Sequence, residues 1–231
     1  MKTTITLIVL LLAMICKLDA QQLQQPLEDF PMSNRGYALL KSGEVIEGRI
    51  INSNSTRGIT KVSLEDMSGT KHKISAEEIF EFAIAMNDAV RLQYIMERGS
   101  SVKKLLSKDH PTAKPKDFII FRNTSVNGQK ELLLQLLNPD FDEVFEVFYD
   151  PFARKTTALE GEYIGWTGDK HRAFFISKNG GPLMKVKKGN YKKAFEVLFG
   201  DCPQVLSDVR KPKLEDLGKH ILLYQNYCTL N

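Results

Sequence analysis

The sequence is poor in the residue types that build metal and redox centres. It has three cysteines, four histidines and one tryptophan in 231 residues. The histidines are His72, His110, His171 and His220. No two of them have the spacing of metal ligands, and neither HExxH nor CxxC occurs. The sequence therefore predicts no bound metal and no cofactor.

The common motifs of nucleotide-binding and hydrolytic enzymes are also missing. There is no Walker loop, no GxGxxG and no GxSxG. Two carboxylate pairs, Asp140/Asp142 and Glu160/Glu162, keep acid–base catalysis open as an alternative. Because ordinary solvated strands show the same spacing, we expect a protein without catalytic activity.

Long apolar runs are absent beyond the first twenty residues. Lys2 precedes the apolar run Ile5–Ile15, and a small residue, Ala20, stands before Gln21. This is the pattern of a secretory signal peptide cleaved after Ala20, and the run is too short to span a membrane comfortably. We predict a signal peptide over 1–20, a periplasmic or secreted protein, and no membrane span after cleavage. An uncleaved anchor is the alternative.

Charge of one sign does not dominate the chain. It carries 32 Lys and Arg against 28 Asp and Glu, a formal net charge of +4. RNA or DNA binding would require a basic groove with aromatic platforms, so we expect no nucleic acid partner. Residues 21–34 are polar with two prolines, which predicts a flexible lead-in to the folded part.

Residues 35–84 contain short apolar strands separated by glycine turns, such as Lys41–Glu44 and Asp66–Gly69. This pattern predicts a small, strongly bent β-barrel module. Its stretch Leu40–Gly48, LKSGEVIEG, resembles the first strands of Sm-like and SH3-like barrels. In those barrels a glycine of the second strand permits the bend.

Residues 85–188 predict an antiparallel β-meander of about six strands. At its centre, Asn138-Pro139-Asp140 separates the apolar runs Leu132–Leu137 and Phe141–Tyr149, which predicts a strand pair joined by a turn. Asn179-Gly180-Gly181 lies between two further apolar runs and predicts a hairpin.

Residues 189–231 predict helices packed on the meander. Asn190 is placed to cap a helix that ends at Gly200, with apolar residues at helical spacing from Tyr191 to Phe199. Two shorter apolar faces follow, over Cys202–Val209 and Leu214–Cys228. The expected fold class is α+β: the bent β-barrel, then the meander, closed by C-terminal helices.

Cleavage of the signal peptide leaves two cysteines, Cys202 and Cys228. Both fall on apolar helix faces, and in an oxidising compartment such a pair predicts one disulfide. Buried free thiols and a metal or redox site are the alternatives.

The loop that begins at Asp150 is the candidate binding edge. It places Arg154, Tyr163 and Trp166 close in sequence to Asp150, and Tyr, Trp and Arg are the residue types that anchor interfaces. The alternative is a surface loop whose aromatic side chains pack onto the sheet.

Three segments carry a resemblance that spans most of the mature chain: Gly36–Gly48, Leu133–Ala153 and Tyr191–Cys202. In these segments the chain resembles uncharacterised exported proteins of Gram-negative bacteria. The resemblance implies an envelope or secreted location and brings no activity and no site residue.

The sequence leads to three hypotheses about function. The first is a non-catalytic envelope protein that binds another protein or a surface polymer. The second is a hydrolase-like enzyme that uses carboxylates between Asp140 and Glu162. The third is a purely structural or stress-related secreted protein. A concave pocket where carboxylates converge would favour the enzyme, and an exposed aromatic surface would favour binding.

Overall fold

The structure is a computed structural model, and it describes residues 23–24, 26, 35–53, 58–86, 117–126, 128, 131–153 and 173–229. The predicted signal peptide, residues 87–116 of the predicted meander and most of the loop after Asp150 lie outside these residues. The described part is α+β, with antiparallel sheets followed by C-terminal helices. The strands are β1 Arg35–Leu40, β2 Val45–Ser53, β3 Lys61–Glu65, β4 Lys71–Ser75, β5 Ile79–Ala85, β6 Phe118–Ser125, β7 Glu131–Gln135, β8 Phe145–Tyr149, β9 Ala173–Lys178 and β10 Met184–Lys187.

Seven strands form the first sheet, in the order β4-β3-β2-β1-β5-β6-β7. The five strands predicted within 35–84 are all present, and the turns between them contain Gly43 and Gly69 at positive φ. No closed barrel occurs among the strands that the structure describes, so the barrel stays a prediction. The predicted boundary between the first module and the meander lies between residues 84 and 85. Hydrogen bonding continues across it, because β6 and β7 belong to the same sheet as β1–β5. The division into domains also stays a prediction.

The first sheet buries one face in a core drawn from all of its own strands. This core contains Ala38, Ile50, Val62, Leu64, Ile74, Phe82, Ile84, Ile119, Phe121 and Leu133, with residues from the connections. Gly36 and Gly48 lie opposite each other in β1 and β2. A Cβ at Gly36 would overlap Ala83 O of β5, and one at Gly48 would overlap Glu65 O of β3. Glycine is therefore required at both positions for the strands to approach so closely.

The chain changes sheets between β7 and β8. Leu136 N–H still donates to Ile120 O of the first sheet (2.9 Å), whereas Leu137 N–H donates to Val147 O of β8 (2.8 Å). β8 pairs with β9, and β9 with β10, to form a three-stranded sheet. The predicted strand pair 132–137 and 141–149 is therefore wrong. Its two runs belong to different sheets, and a single bridge, Leu136 to Phe148, joins them.

A buried asparagine explains why residues 141–144 are not part of a strand. Asn138 is fully buried, and its Nδ2 donates to the backbone oxygens of Phe141 and Phe145. Its Oδ1 accepts from Val147 N–H at 2.8 Å. The side chain thus bonds to backbone groups that a continuous strand pair would use. The predicted turn at Asn138 is confirmed, and the strand after it begins at Phe145 and not at Phe141.

The C-terminal helices cover one face of the three-stranded sheet. They are α1 Tyr191–Phe199, α2 Pro203–Asp208 and α3 Leu217–Cys228. The residues of α1 that are buried are Tyr191, Ala194, Phe195, Leu198 and Phe199, as the helical spacing predicts. They pack against Phe145 and Val147 of β8 and Ile176 of β9. The opposite face of this sheet, with Phe148 and Phe175, packs on leucines of β7.

Asn190 precedes α1 but does not cap it with its side chain. Its Oδ1 accepts from Lys187 N–H (2.7 Å) and its Nδ2 donates to Lys185 O (2.9 Å). The amide therefore occupies backbone groups of β10, the edge strand of the three-stranded sheet. Occupying edge groups in this way protects a sheet from pairing with another chain.

Two links hold the helices in place. Cys202 and Cys228 lie at disulfide distance, as predicted, with Cα atoms 6.1 Å apart and a sequence separation of 26. A bond that closes a loop of this size stabilises by about 3 kcal/mol in the chain-entropy model. Lys178 of β9 contacts Asp201 (2.6 Å) and donates to Leu198 O (2.7 Å), which joins the sheet to the end of α1.

The segment before β1 touches the fold in the part that is described. Gln24 N–H donates to Leu137 O at 2.6 Å, and Leu23 packs against the helical core. The lead-in predicted over residues 21–34 therefore contacts the fold at these two residues, and its flexibility stays a prediction.

Replacing Asn138 by alanine should destabilise the protein by about 3 kcal/mol. The change removes the side-chain partner of the buried backbone groups Phe145 O and Val147 N–H, and each such group costs about 1–3 kcal/mol. Phe141 O also loses a bond but keeps the one from Gln225 Nε2 (3.2 Å). Urea denaturation measures the loss. The exposed Asn226→Ala in α3 is the control and should change the unfolding free energy by less than about 0.5 kcal/mol. Equal effects of the two variants would contradict the role given to Asn138.

Stability should fall with acidification because of His220, which is buried in the helical core and shares a hydrogen bond with Tyr191 Oη (2.6 Å). Burial lowers the pKa of His220 to about 4, against an opposing effect of Asp216. Between pH 6.5 and 4 the unfolded chain therefore binds a proton that the folded chain does not. Unfolding free energy should fall by about 3 kcal/mol over this range and be unaffected by this group above it.

Two measurements test this prediction for His220. The imidazole resonance should show a neutral ring at pH 5.5, and the variant His220→Asn should lose the slope of unfolding free energy between pH 6.5 and 4. A protonated ring at pH 5.5 in the folded protein would contradict it.

Candidate functional site

Only the first of the four predicted binding residues belongs to the described part of the chain. Arg154, Tyr163 and Trp166 lie outside it, and their roles stay predictions. Asp150 is fully buried at the end of β8. Its Oδ1 accepts from Phe152 N–H (2.9 Å), and its Oδ2 lies 2.7 Å from Lys185 Nζ of β10. These contacts fix the beginning of the loop, and they give Asp150 a structural task.

A different group of polar side chains converges where the two sheets meet. Arg122 of β6 lies opposite Glu81 of β5 in the strand register, and its Nη2 is 3.1 Å from Glu81 Oε2. Its Nη1 lies 2.7 Å from Asp142 Oδ2 and 2.7 Å from Glu146 Oε1. One guanidinium thus binds three carboxylates, from β5, from the turn after Asn138 and from β8.

The electrostatics of this group follow from its partial burial. Burial acts to lower the pKa of Arg122, but hydrogen bonds to Glu146, Glu81 and Asp142 outweigh it and raise that pKa. Tyr37 of β1 donates from its hydroxyl to Glu81 Oε1 at 2.8 Å. Burial and this hydrogen bond raise the pKa of Tyr37 to about 12, so the hydroxyl stays protonated.

Aromatic rings surround the charged group. Phe80 lies beside the guanidinium, with 5.7 Å from Arg122 Cζ to the ring centroid. Phe118 meets Tyr37 edge to face, with centroids 5.8 Å apart, and 40% of Phe118 is exposed. The exposed ring of Phe118 therefore places a solvent-accessible apolar surface next to the charged group.

Three of these side chains, Glu81, Phe118 and Arg122, line an open cleft of about 310 Å³, which we call the Arg122 cleft. Its lining residues are Glu81, Asp117, Phe118, Ile120, Arg122, Pro139 and Asp140. Three carboxylates and one guanidinium line it, so its charge is negative at neutral pH. The apolar part comes from Phe118 and Ile120 on the strand side and Pro139 on the turn side.

The carboxylates proposed for catalysis are distributed between this cleft and undescribed residues. Asp142 binds Arg122, Asp140 lines the cleft, and Glu160 and Glu162 lie outside the described part. Within that part, no group of three or more metal-ligating side chains could hold a metal ion. The same residues include no helix long and apolar enough to cross a membrane.

Sequence reasoning missed Arg122, Glu81 and Tyr37. Arg122 interrupts the apolar run of β6, and a charged residue at that position of a half-buried strand is a signal that can be seen in the sequence. Its partners cannot be seen there, because they lie 20 to 41 residues away along the chain.

Comparisons of the chain with protein-family models, with curated proteins and with solved structures return no match.

Replacing Arg122 by methionine should destabilise the protein by about 3–5 kcal/mol. The change leaves three partly buried carboxylates close together without their cation, and removing one partner of a buried ion pair has a cost of this size. Urea denaturation at neutral pH is the measurement. Arg49→Met is the control, because Arg49 is 59% exposed in its pair with Glu65, and such pairs contribute less than about 1 kcal/mol. A loss no larger than that of the control would contradict the prediction.

Proposed function

We propose that the protein is an exported, non-catalytic binding protein of the cell envelope and that the Arg122 cleft is its binding site. The observation that carries this proposal is that Glu81, a carboxylate that lines the cleft, has both of its oxygens engaged, one by Arg122 and one by Tyr37. Glu81, Asp142 and Glu146 each accept a hydrogen bond from one guanidinium. Through Arg122 these carboxylates join the two sheets beside the cleft, and Glu81 is the one of the three that lines it.

This arrangement supports binding over hydrolysis. A general base needs an oxygen directed at a water or a substrate proton. The oxygens of Glu81 and Asp142 that face the cation are directed at Arg122 instead, and Glu81 also accepts from Tyr37. Glu81, with both oxygens already bound, adds negative charge to the cleft without directing an oxygen at a substrate, and Asp117 and Asp140 supply the rest of that charge.

The lining predicts the chemistry of the ligand. Negative charge beside Phe118, Ile120 and Pro139 suits a cation with an apolar stem, as in a lysine or arginine side chain. The exposed Phe118 ring can receive such a cation on its face. We infer that the ligand is a segment of a partner protein that presents a basic residue next to apolar ones.

Export has support of a different kind. Cys202 and Cys228 lie at disulfide distance, and such bonds persist in oxidising compartments such as the periplasm and the cell exterior. The signal-peptide pattern of residues 1–20 and the resemblance to exported proteins of Gram-negative bacteria agree with this location.

We also infer that β1–β7 form a strongly bent, incompletely closed barrel. Its core contains residues of all seven strands and of their connections. A sheet can fill a core from one of its own faces only by curving around it. Ile59, just before β3, also exchanges two backbone hydrogen bonds with Leu133 of β7, the far edge strand (2.9 and 3.2 Å).

Selection of displayed random peptides on the purified protein tests the proposed function. We expect enrichment of peptides in which Lys or Arg adjoins an apolar residue, because the cleft combines both features. The variant Phe118→Ala should weaken binding of the enriched peptides at least tenfold, as expected for an exposed aromatic anchor.

The matched control is Phe152→Ala, which removes an equally exposed ring (42% against 40%) away from the cleft. Its binding of the enriched peptides should equal that of the unchanged protein. Enriched peptides without basic residues, or equal binding by both variants, would contradict the assignment of the cleft.

A further inference from the structure

One segment of the three-stranded sheet and α1 carries positive charge without any acidic residue. Residues 173–195 contain six lysines and no aspartate or glutamate. Five of these lysines fall within nine residues, from β10 to the first turn of α1. They are Lys185, Lys187, Lys188, Lys192 and Lys193, which together we call the basic surface. All five are exposed to solvent.

The protein itself balances this charge only in part. Lys185 lies 2.7 Å from Asp150, and Lys188 is 3.8 Å from Glu215 in a pair that is exposed on both sides. Exposed pairs of this kind contribute little. Arg210, Lys211 and Lys213 lie close to Glu215 along the chain and are exposed too, so further positive charge adjoins the basic surface.

Two of the lysines occupy positions that are unfavourable for the fold. Lys192 and Lys193 lie in the first turn of α1, which contains no acidic residue. The positive end of the helix dipole disfavours cations in this turn. The dipole therefore opposes these two lysines, Glu196 one turn on offsets it in part, and negative charge outside the protein would offset it further.

An exposed aliphatic side chain adjoins these charges. Val197 is 60% exposed and follows Lys193 by one helical turn, so the two share a face of α1. Lysines beside an exposed apolar residue are typical of protein surfaces that lie on a membrane, where the charges meet headgroups and the apolar group enters the interface. A soluble polyanion would gain nothing from Val197.

We propose that the basic surface binds the phosphate-bearing headgroups of an anionic membrane surface. The lysines supply the attraction, and Val197 enters the region between headgroups and acyl chains. The surface lies on β10 and α1, and none of its residues lines the Arg122 cleft. The proposal therefore does not depend on the function proposed for that cleft.

Sedimentation of the full-length mature protein with vesicles tests the proposal. One set of vesicles contains phosphatidylcholine alone, and the other contains phosphatidylglycerol in equal part. We expect binding to the anionic vesicles that weakens as salt is added, and no binding to the neutral ones. The triple variant Lys187→Gln, Lys192→Gln, Lys193→Gln should bind about 100-fold more weakly, since each lysine near an anionic surface contributes several-fold.

The matched control removes three lysines from the β3–β4 hairpin. Lys61→Gln, Lys71→Gln and Lys73→Gln change the net charge equally, and these residues are exposed far along the chain from the basic surface. This triple variant should bind the anionic vesicles within about threefold of the unchanged protein. Equal losses in the two triple variants would overturn the proposal, because net charge alone would then explain binding.

Val197→Ser separates a membrane from a soluble anionic polymer. It should weaken binding to the anionic vesicles and leave binding to heparin unchanged, because only the membrane offers an apolar layer. Binding to neutral vesicles as strong as to anionic ones would overturn the proposal. So would an unchanged affinity of Val197→Ser for the vesicles together with tight binding to heparin, which would assign the surface to a soluble polyanion.

Discussion

The buried amide of Asn138 is the constraint on which the rest of the structure depends. The chain must leave the seven-stranded sheet at Leu136 and enter the three-stranded sheet at Leu137. Such a passage exposes backbone groups that neither sheet can satisfy, and a buried unsatisfied group costs about 1–3 kcal/mol. The side chain of Asn138 satisfies three of them. An aspartate could accept but not donate there, which explains why the amide is needed.

The position of the Arg122 cleft is a consequence of this turn. Pro139 and Asp140, which directly follow Asn138, line the cleft together with residues of β6, and Asp142 of the same turn reaches Arg122. The guanidinium then joins the turn to β5 and β8 through Glu81 and Glu146. Backbone hydrogen bonds determine where the chain passes from one sheet to the other. The ion pairs of Arg122 then hold the residues of this passage beside β6. The cleft is the space that remains between these two sets of contacts.

Sequence reasoning succeeded where the signal is local. The strands β1–β4 are separated by connections that contain glycine, the hairpin β9–β10 contains Asn179-Gly180-Gly181, and α1 has the predicted spacing of apolar residues. It failed at the change of sheets, because Leu132–Leu137 and Phe141–Tyr149 look the same whether they pair or separate. Whether the two runs pair depends on the orientation of the buried Asn138 side chain, and the periodicity of apolar residues carries no information about that orientation. The site was missed for a related reason, since Arg122 meets its carboxylates only when two sheets are brought together.

Because Arg122 joins the two sheets, only some substitutions in the cleft can test ligand binding separately from folding. Arg122, Asp142 and Glu146 hold the sheets together, so a variant of any of them changes the shape of the cleft along with its charge. A loss of binding in such a variant would say little about contact with a ligand. Phe118 is different, because its ring is exposed at the rim and its only described ring partner is Tyr37. Truncating Phe118 removes contact area while leaving the ion pairs intact. The rim, and not the charged centre, is therefore where recognition can be separated from folding.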